Sequence, residues 1–131
     1  MIVVIDTNVW VSALHFSPAD CVPLRALEKA LRDDLLATSP ELRFEVYRVL
    51  TEKFGWTETR AASQLDRFHA RAITVQLTHT TNICRDPKDN MFLECAALAK
   101  AGVIVAGDKD LLVLGSYAGA RILTPHEYLR L

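Results

Sequence analysis

Cysteine is scarce and ill-spaced for chemistry. Cys21, Cys84 and Cys95 are odd in number, far apart and without a CxxC pair, which argues against both a disulfide framework and a thiolate metal site. They read as buried or idle thiols. His15, His69, His79 and His126 likewise show no ligand spacing such as HxxxH, so imidazole is not where this sequence places its chemistry. No apolar run approaches the roughly 18–20 residues of a membrane span. The opening MIVVIDTN lacks the basic start, long apolar centre and small-residue cleavage site of a signal peptide. A cytoplasmic protein with no membrane association is expected. No repeat, linker or low-complexity stretch divides the chain.

Charge of one sign is also missing. Fifteen basic residues face sixteen acids, for a net charge of −1, where a nucleic-acid partner usually calls for a basic surplus. If four acids are sequestered in a metal site, the remainder carries +3, and ten of the fifteen basic residues are arginine, the better bidentate phosphate ligand. Charge therefore neither supports nor excludes RNA.

What is present is a core. Half of the 131 residues are hydrophobic, enough for one domain spanning residues 1–131 to fold without disulfides or a structural metal. Short β-branched runs at Ile2–Ile5, Leu35–Ala37, Ile73–Val75, Val103–Ala106 and Arg121–Leu123 are spaced by helical patterns. The helical patterns are Val22–Leu31, Pro40–Phe54, Glu58–Arg71, Asn90–Ala101, Lys109–Leu114 and a final turn at Pro125–Leu129, with a polar gap over Thr78–Asp86. Nearly continuous apolar strands separated by helices imply an α/β fold: a three-layer α/β/α sandwich with a central parallel sheet. Ser39-Pro40-Glu41 marks a helix start, and Gly102 is read as a helix stop after Lys100.

In such a sheet the ligand site lies beyond the carboxyl ends of the strands, and acids stand there. Asp6 follows the first strand directly. Asp108 follows Val103–Ala106 after one glycine, with Asp110 two residues on. Asp89 stands at the foot of the helix starting near Asn90, where free N–H groups favour an anion and an ordinary N-cap would also sit. Glu45 falls on the flank of the stripe Leu42, Val46, Val49 and Leu50 at about 100° per residue. It could equally be a solvated i+3 partner for Arg48. Thr7 and Asn8 could orient Asp6 by hydrogen bonds or simply start a helix. Four carboxylates drawn to one edge repel one another unless a cation fills the gap, and oxygen ligands without Cys or His select Mg²⁺ or Mn²⁺ over zinc.

Four segments resemble the motifs of the PIN domain family, named after the PilT N-terminus. VVIDTNVWVSAL resembles its opening, SPELRFEVYRVL its second motif with Glu45 at the helix glutamate, RDPKDNMFLECA its third with Asp89, and VIVAGDKDLLVL its fourth with Asp108 and Asp110. The subgroup most similar is that of VapC-type toxin components of bacterial toxin–antitoxin pairs. One departure is Ala106, where many relatives carry Ser or Thr. The resemblance implies a PIN-like sandwich and a Mg²⁺- or Mn²⁺-dependent endoribonuclease that leaves 5′-phosphate and 3′-hydroxyl ends. Asp6, Glu45, Asp89 and Asp108 would be catalytic and would hold the metal with Asp110, Thr7 and Asn8 lying behind Asp6. It further implies a homodimer and a cognate antitoxin protein.

Two rivals share the pattern. An aspartyl-phosphate phosphatase using Asp6 as nucleophile would show DxDxT, but position 8 is Asn. A catalytically inactive or receiver-like regulatory binding module would want a lysine after a late strand. Lys109 is available but follows Asp108 directly.

Overall fold

The chain starts on an edge-to-edge alternation of strand and helix whose boundaries have local causes. The structure, a computed structural model, describes residues 1–15 and 21–131. In chain order the elements are β1 (Ile2–Ile5), α1 (Thr7–His15), α2 (Val22–Asp33), β2 (Leu35–Thr38), α3 (Pro40–Glu52), α4 (Glu58–His69) and β3 (Ile73–Thr74). Then follow α5 (Pro87–Ala99), β4 (Val103–Val105), α6 (Lys109–Leu112), β5 (Ser116–Tyr117), β6 (Ala120–Leu123) and α7 (Pro125–Leu129).

Helix starts are fixed by side-chain acceptors that satisfy otherwise unpaired N–H groups. The Ser39 hydroxyl accepts from Leu42 N at 3.1 Å, the Thr57 hydroxyl from Arg60 N at 3.1 Å, and Thr124 forms a reciprocal capping box with Glu127. Cys21, expected to be idle, caps α2 by accepting from Leu24 N at 3.4 Å. The stop of α5 differs from expectation. Lys100 itself takes the left-handed conformation, φ 56°, and Gly102 lies beyond it, packed so closely on Met1 that a Cβ there would come within 2.9 Å of its sulfur.

The strands form one sheet in the order β3-β2-β1-β4-β6-β5. All neighbours are parallel except β5, which returns antiparallel along β6. The structure is therefore α/β with a mostly parallel sheet, the antiparallel edge being an addition to the expected architecture. Period-two alternation sorts the strand residues onto two buried faces. Val3, Ile5, Leu36, Val103, Val105 and Leu123 pack under α1, α2, α3, α4 and α7, while Val4, Ala37, Ile104 and Ile122 pack against α5 and α6. On the first face Trp10 stacks on His69 at 4.9 Å and meets Phe68 edge-on at 6.0 Å, joining α1 to α4. Helix α1 is the largest element missing from the helical patterns of the sequence, where only a possible helix start at Thr7 and Asn8 was marked.

The chain runs from β1 outward through β2 to β3, then crosses back to build β4 and β6 on the other side of β1. The direction of progression thus reverses between β1 and β4. A crevice opens at such a point beyond the carboxyl ends of the two strands. Asp6 N donates to Val105 O at 2.9 Å, so the first acid stands at that point. Among the described residues no helix is long and apolar enough to cross a membrane.

Candidate metal centre

Asp6 is held on all sides by backbone. Its Oδ1 accepts from Val9 N at 2.9 Å and its carbonyl from Trp10 N at 3.1 Å, which makes it the N-cap of α1. Its Oδ2 accepts from Gly107 N at 2.9 Å and Asp108 N at 3.4 Å, tying the end of β1 to the turn after β4. Burial raises its pKa; the three N–H donors pull it back, and Asp108 nearby raises it further. No side-chain hydrogen bond from Thr7 or Asn8 reaches this carboxylate among the described residues. The two follow Asp6 as the first helical residues, and Thr7 Oγ1 is buried without a hydrogen-bond partner.

Glu45 comes from α3, largely sheltered on the flank of its apolar stripe as the helical angle requires. Arg48 grips it bidentately, Nη2 to Oε1 at 2.8 Å and Nε to Oε2 at 3.2 Å, and Lys88 Nζ reaches Oε1 at 3.2 Å. Arg48 foremost, then Lys88, holds the Glu45 carboxyl below its ordinary range against burial. The i+3 partnership with Arg48 and a place at the sheet edge are both realised.

Asp89 is not the N-cap of α5. Pro87 takes the first helical position and Asp86 caps, accepting from Lys88 N at 2.9 Å. Asp89 thus sits inside the first turn, 5% exposed, with Oδ2 lacking any hydrogen-bond partner. Burial above all, then the charges of Asp108, Asp86, Asp110 and Asp6, push its carboxyl up to about 6. Asp108 caps α6 through Asp110 N at 2.7 Å. Oxygens of Asp89, Asp108 and Asp110 lie within 4.8 Å of one another, and Arg85 approaches Asp110 at 3.6 Å.

A cavity of 220 Å³ at the switch point is lined by Asp6, Glu45, Asp89 and Asp108 with Thr7 and Asn8. Asp110 lies beside it through its group with Asp89 and Asp108. Asp86, Arg48, Lys53 and Lys88 line the same cavity; Arg48 was marked in the sequence only as a partner of Glu45, Lys53 and Lys88 had no signal in one dimension because they meet across α3 and α5, and only the Asp-Pro step could have marked Asp86. Ala106 is buried among Leu111 and Ile122 on the α5–α6 face, away from the cavity lining.

The residues fit a hard divalent ion. The donor set is all oxygen, Asp89 carries a buried oxygen with no partner, and burial first, then the crowding of like charge, raises the pKa of its carboxyl. A cation there satisfies that oxygen and relieves the crowding.

Behind the centre, two side chains of α5 anchor the segment that precedes it. Asn90 Oδ1 accepts from Ile83 N at 3.0 Å and Cys84 N at 2.7 Å, and its Nδ2 donates to Cys84 O at 3.2 Å. Buried Glu94 accepts from Thr78 N at 2.5 Å, from the Thr78 hydroxyl and from His79 N at 3.0 Å. His79, at φ 61°, pairs with Glu41 of α3 at 2.9 Å.

Acids from separate elements meeting at the reversal of a parallel sheet define an α/β protein whose acidic cluster could hold a metal ion. Residues 2–110 match the family model described as PIN domain. The chain belongs to the PIN domain family, which is of nuclease type. It is 34% identical over 117 residues to uncharacterized protein MJ1680 of Methanocaldococcus jannaschii, covering 86% of this chain and 74% of that one. Its fold is similar to that of VapBC2 from Rickettsia felis, solved bound to a DNA fragment from their promoter, with TM-score 0.65, 16% identity and coverage of 95% and 98% of the two chains. It is similar also to FitAcB from Neisseria gonorrhoeae, with TM-score 0.59, 16% identity and the same coverage.

Proposed function

We propose that this chain is a single PIN domain over residues 1–131 acting as a Mg²⁺- or Mn²⁺-dependent endoribonuclease, the toxin component of a bacterial toxin–antitoxin pair. One observation carries the reading. Asp89 lines the cavity with Asp6, Glu45 and Asp108 and keeps a buried carboxylate oxygen without a partner, an arrangement that a bound cation would make favourable.

Asp89 and Asp108 would hold the ion with Asp110, and Asp6 and Glu45 would complete the set directly or through water. When bound, Mg²⁺ or Mn²⁺ supplies acidification of the attacking water and neutralises charge growing on the phosphoryl and leaving oxygens. Asp6, fixed by three N–H groups, keeps the turn carrying Asp108 against β1. Thr7 and Asn8 shape the wall beside it. Among the described residues no imidazole lines the cavity, and none is required as a general base where a metal acidifies the attacking water. Work in the cytoplasm, a homodimer, and an antitoxin that covers the site and presents arginine to the acids follow from the resemblance to VapC-type proteins.

The test is cleavage of a mixed RNA pool in Mn²⁺ and in EDTA by wild type, Asp6→Asn and Asp89→Asn. The expected result is cleavage by the wild type that EDTA abolishes and either substitution lowers by orders of magnitude. The caps and ion pairs described above would also suit a regulatory module without catalysis. A wild type inert in both Mg²⁺ and Mn²⁺, or variants that cut as fast as it does, would favour that module.

A further inference from the structure

The cavity is lopsided in charge. At one end Asp89, Asp108 and Asp110 gather, and the sole cation within ion-pair distance among the described residues is Arg85 on Asp110. At the other end Glu45 is covered by Arg48 and Lys88, while Lys53, which closes α3, has no ion-pair partner among the described residues. Arg48 is further committed to Glu52 at 2.9 Å. Counting Glu45 and Glu52 against Arg48, Lys53 and Lys88, this end keeps one positive charge.

Lys88 is the telling residue. A cation in the first turn of a helix opposes the macrodipole, so the stability of α5 does not explain it. It is half exposed and makes a single ion pair, on a carboxylate that Arg48 already satisfies twice. A lysine ammonium is a compact point charge on a flexible stem and exchanges one oxyanion for another easily.

We propose that Lys88 and Lys53 form a phosphate clamp that holds the RNA backbone next to the phosphate being cut. This rests on the ribonuclease reading above. Lys88 leaves Glu45 for a phosphate oxygen as the strand enters, and Arg48 stays behind to keep Glu45 in place. The acids alone would repel a polyanion; the lysine end gives it a point of attachment, so the two ends of one cavity divide the work of holding the ion and the strand.

The experiment uses a fluorescein-labelled single-stranded oligoribonucleotide in EDTA, where no cleavage occurs, with anisotropy read from low to physiological salt. Lys88→Gln and Lys53→Gln should each weaken binding several-fold, and each should flatten the slope of log K against log salt by about 0.7, the share of one phosphate contact on a single strand. Lys88→Arg should restore the slope, which a merely structural role would not predict. Mn²⁺ affinity by calorimetry should not fall in either glutamine variant, because each removes a positive charge from the cavity that holds the ion. Wild-type affinity and slope in both variants, alongside a wild type that cleaves RNA in Mn²⁺, would overturn the clamp and leave the nuclease standing. A wild type that neither binds nor cleaves RNA would overturn both.

Discussion

Asp89→Asn should make the metal-free protein more stable. The carboxyl is raised from 3.8 to about 6, and about 1.4 kcal/mol per pH unit sets a ceiling near 3 kcal/mol on the cost of keeping it charged at neutral pH. Water reaches the cavity mouth and screens the neighbouring acids, so about 1–2 kcal/mol is the better figure. Against this stands the loss of an anion in the first turn of α5, about 0.5 kcal/mol. No cap is lost, because Asp86 holds that position. The net gain is about 1 kcal/mol, or about 3–6 °C in melting temperature for a chain of this size.

The sign with pH is fixed by linkage. Between 3.8 and about 6 the folded wild type holds a proton that the unfolded chain has released. Wild-type stability from this group therefore falls as pH rises through that window and stays low above it. The asparagine variant has no such slope. Calorimetric melts in EDTA should show little gap near the lower bound and the full gap above the upper one. Saturating Mn²⁺, at about 100 times its Kd, should then add about 2.7 kcal/mol to the wild type and little to the variant. A variant less stable than wild type at neutral pH, or a gap that ignores pH, would refute the crowding argument.

Asp108→Asn keeps a capping oxygen for Asp110 N, so its metal-free melting temperature should match or exceed that of the wild type while its Mn²⁺ response disappears; Asp86→Ala removes a true cap and should cost about 1 kcal/mol. Glu94→Gln puts an amide donor among the Thr78 and His79 donors and should cost about 1–3 kcal/mol in denaturant titrations. Lys100→Gly relieves a left-handed residue at the end of α5 and should raise stability by about 0.5–1 kcal/mol. Tyr128→Phe deletes the hydroxyl that donates to Asp34, which Lys29 and the amino terminus also hold at 3.3 Å, and should cost about 1 kcal/mol in the same titrations.

The parallel strands were legible because burial on both faces leaves short unbroken β-branched runs such as Val103–Val105. Asp6 and Asp108 were legible as neighbours because each directly follows such a run, and Glu45 because helical angle alone puts it beside the stripe of α3. Helix α1 was not, since Val9, Trp10, Val11 and Ala13 are all buried and a segment covered nearly all round shows no 3.6-residue period. Strand β5 is two residues long and depends on a turn in which Ala118 and Gly119 both take positive φ. The place of Asp89 was misread by one turn although Asp86-Pro87 carries the cap signature. The cationic wall of the cavity joins Lys53, Arg48 and Lys88 across two helices, a juxtaposition that only the packing of α3 against α5 creates.

The segment between β3 and α5 has neither helix nor strand, yet its amides are not those of a loose loop. Thr78, His79, Ile83 and Cys84 give their N–H groups to Glu94 and Asn90, so exposing any of them to hydrogen exchange requires breaking a bond to a helix in the core. Their exchange should therefore be slower than that of amides open to water in an ordinary loop. Mechanically the segment is a selvedge woven onto that helix.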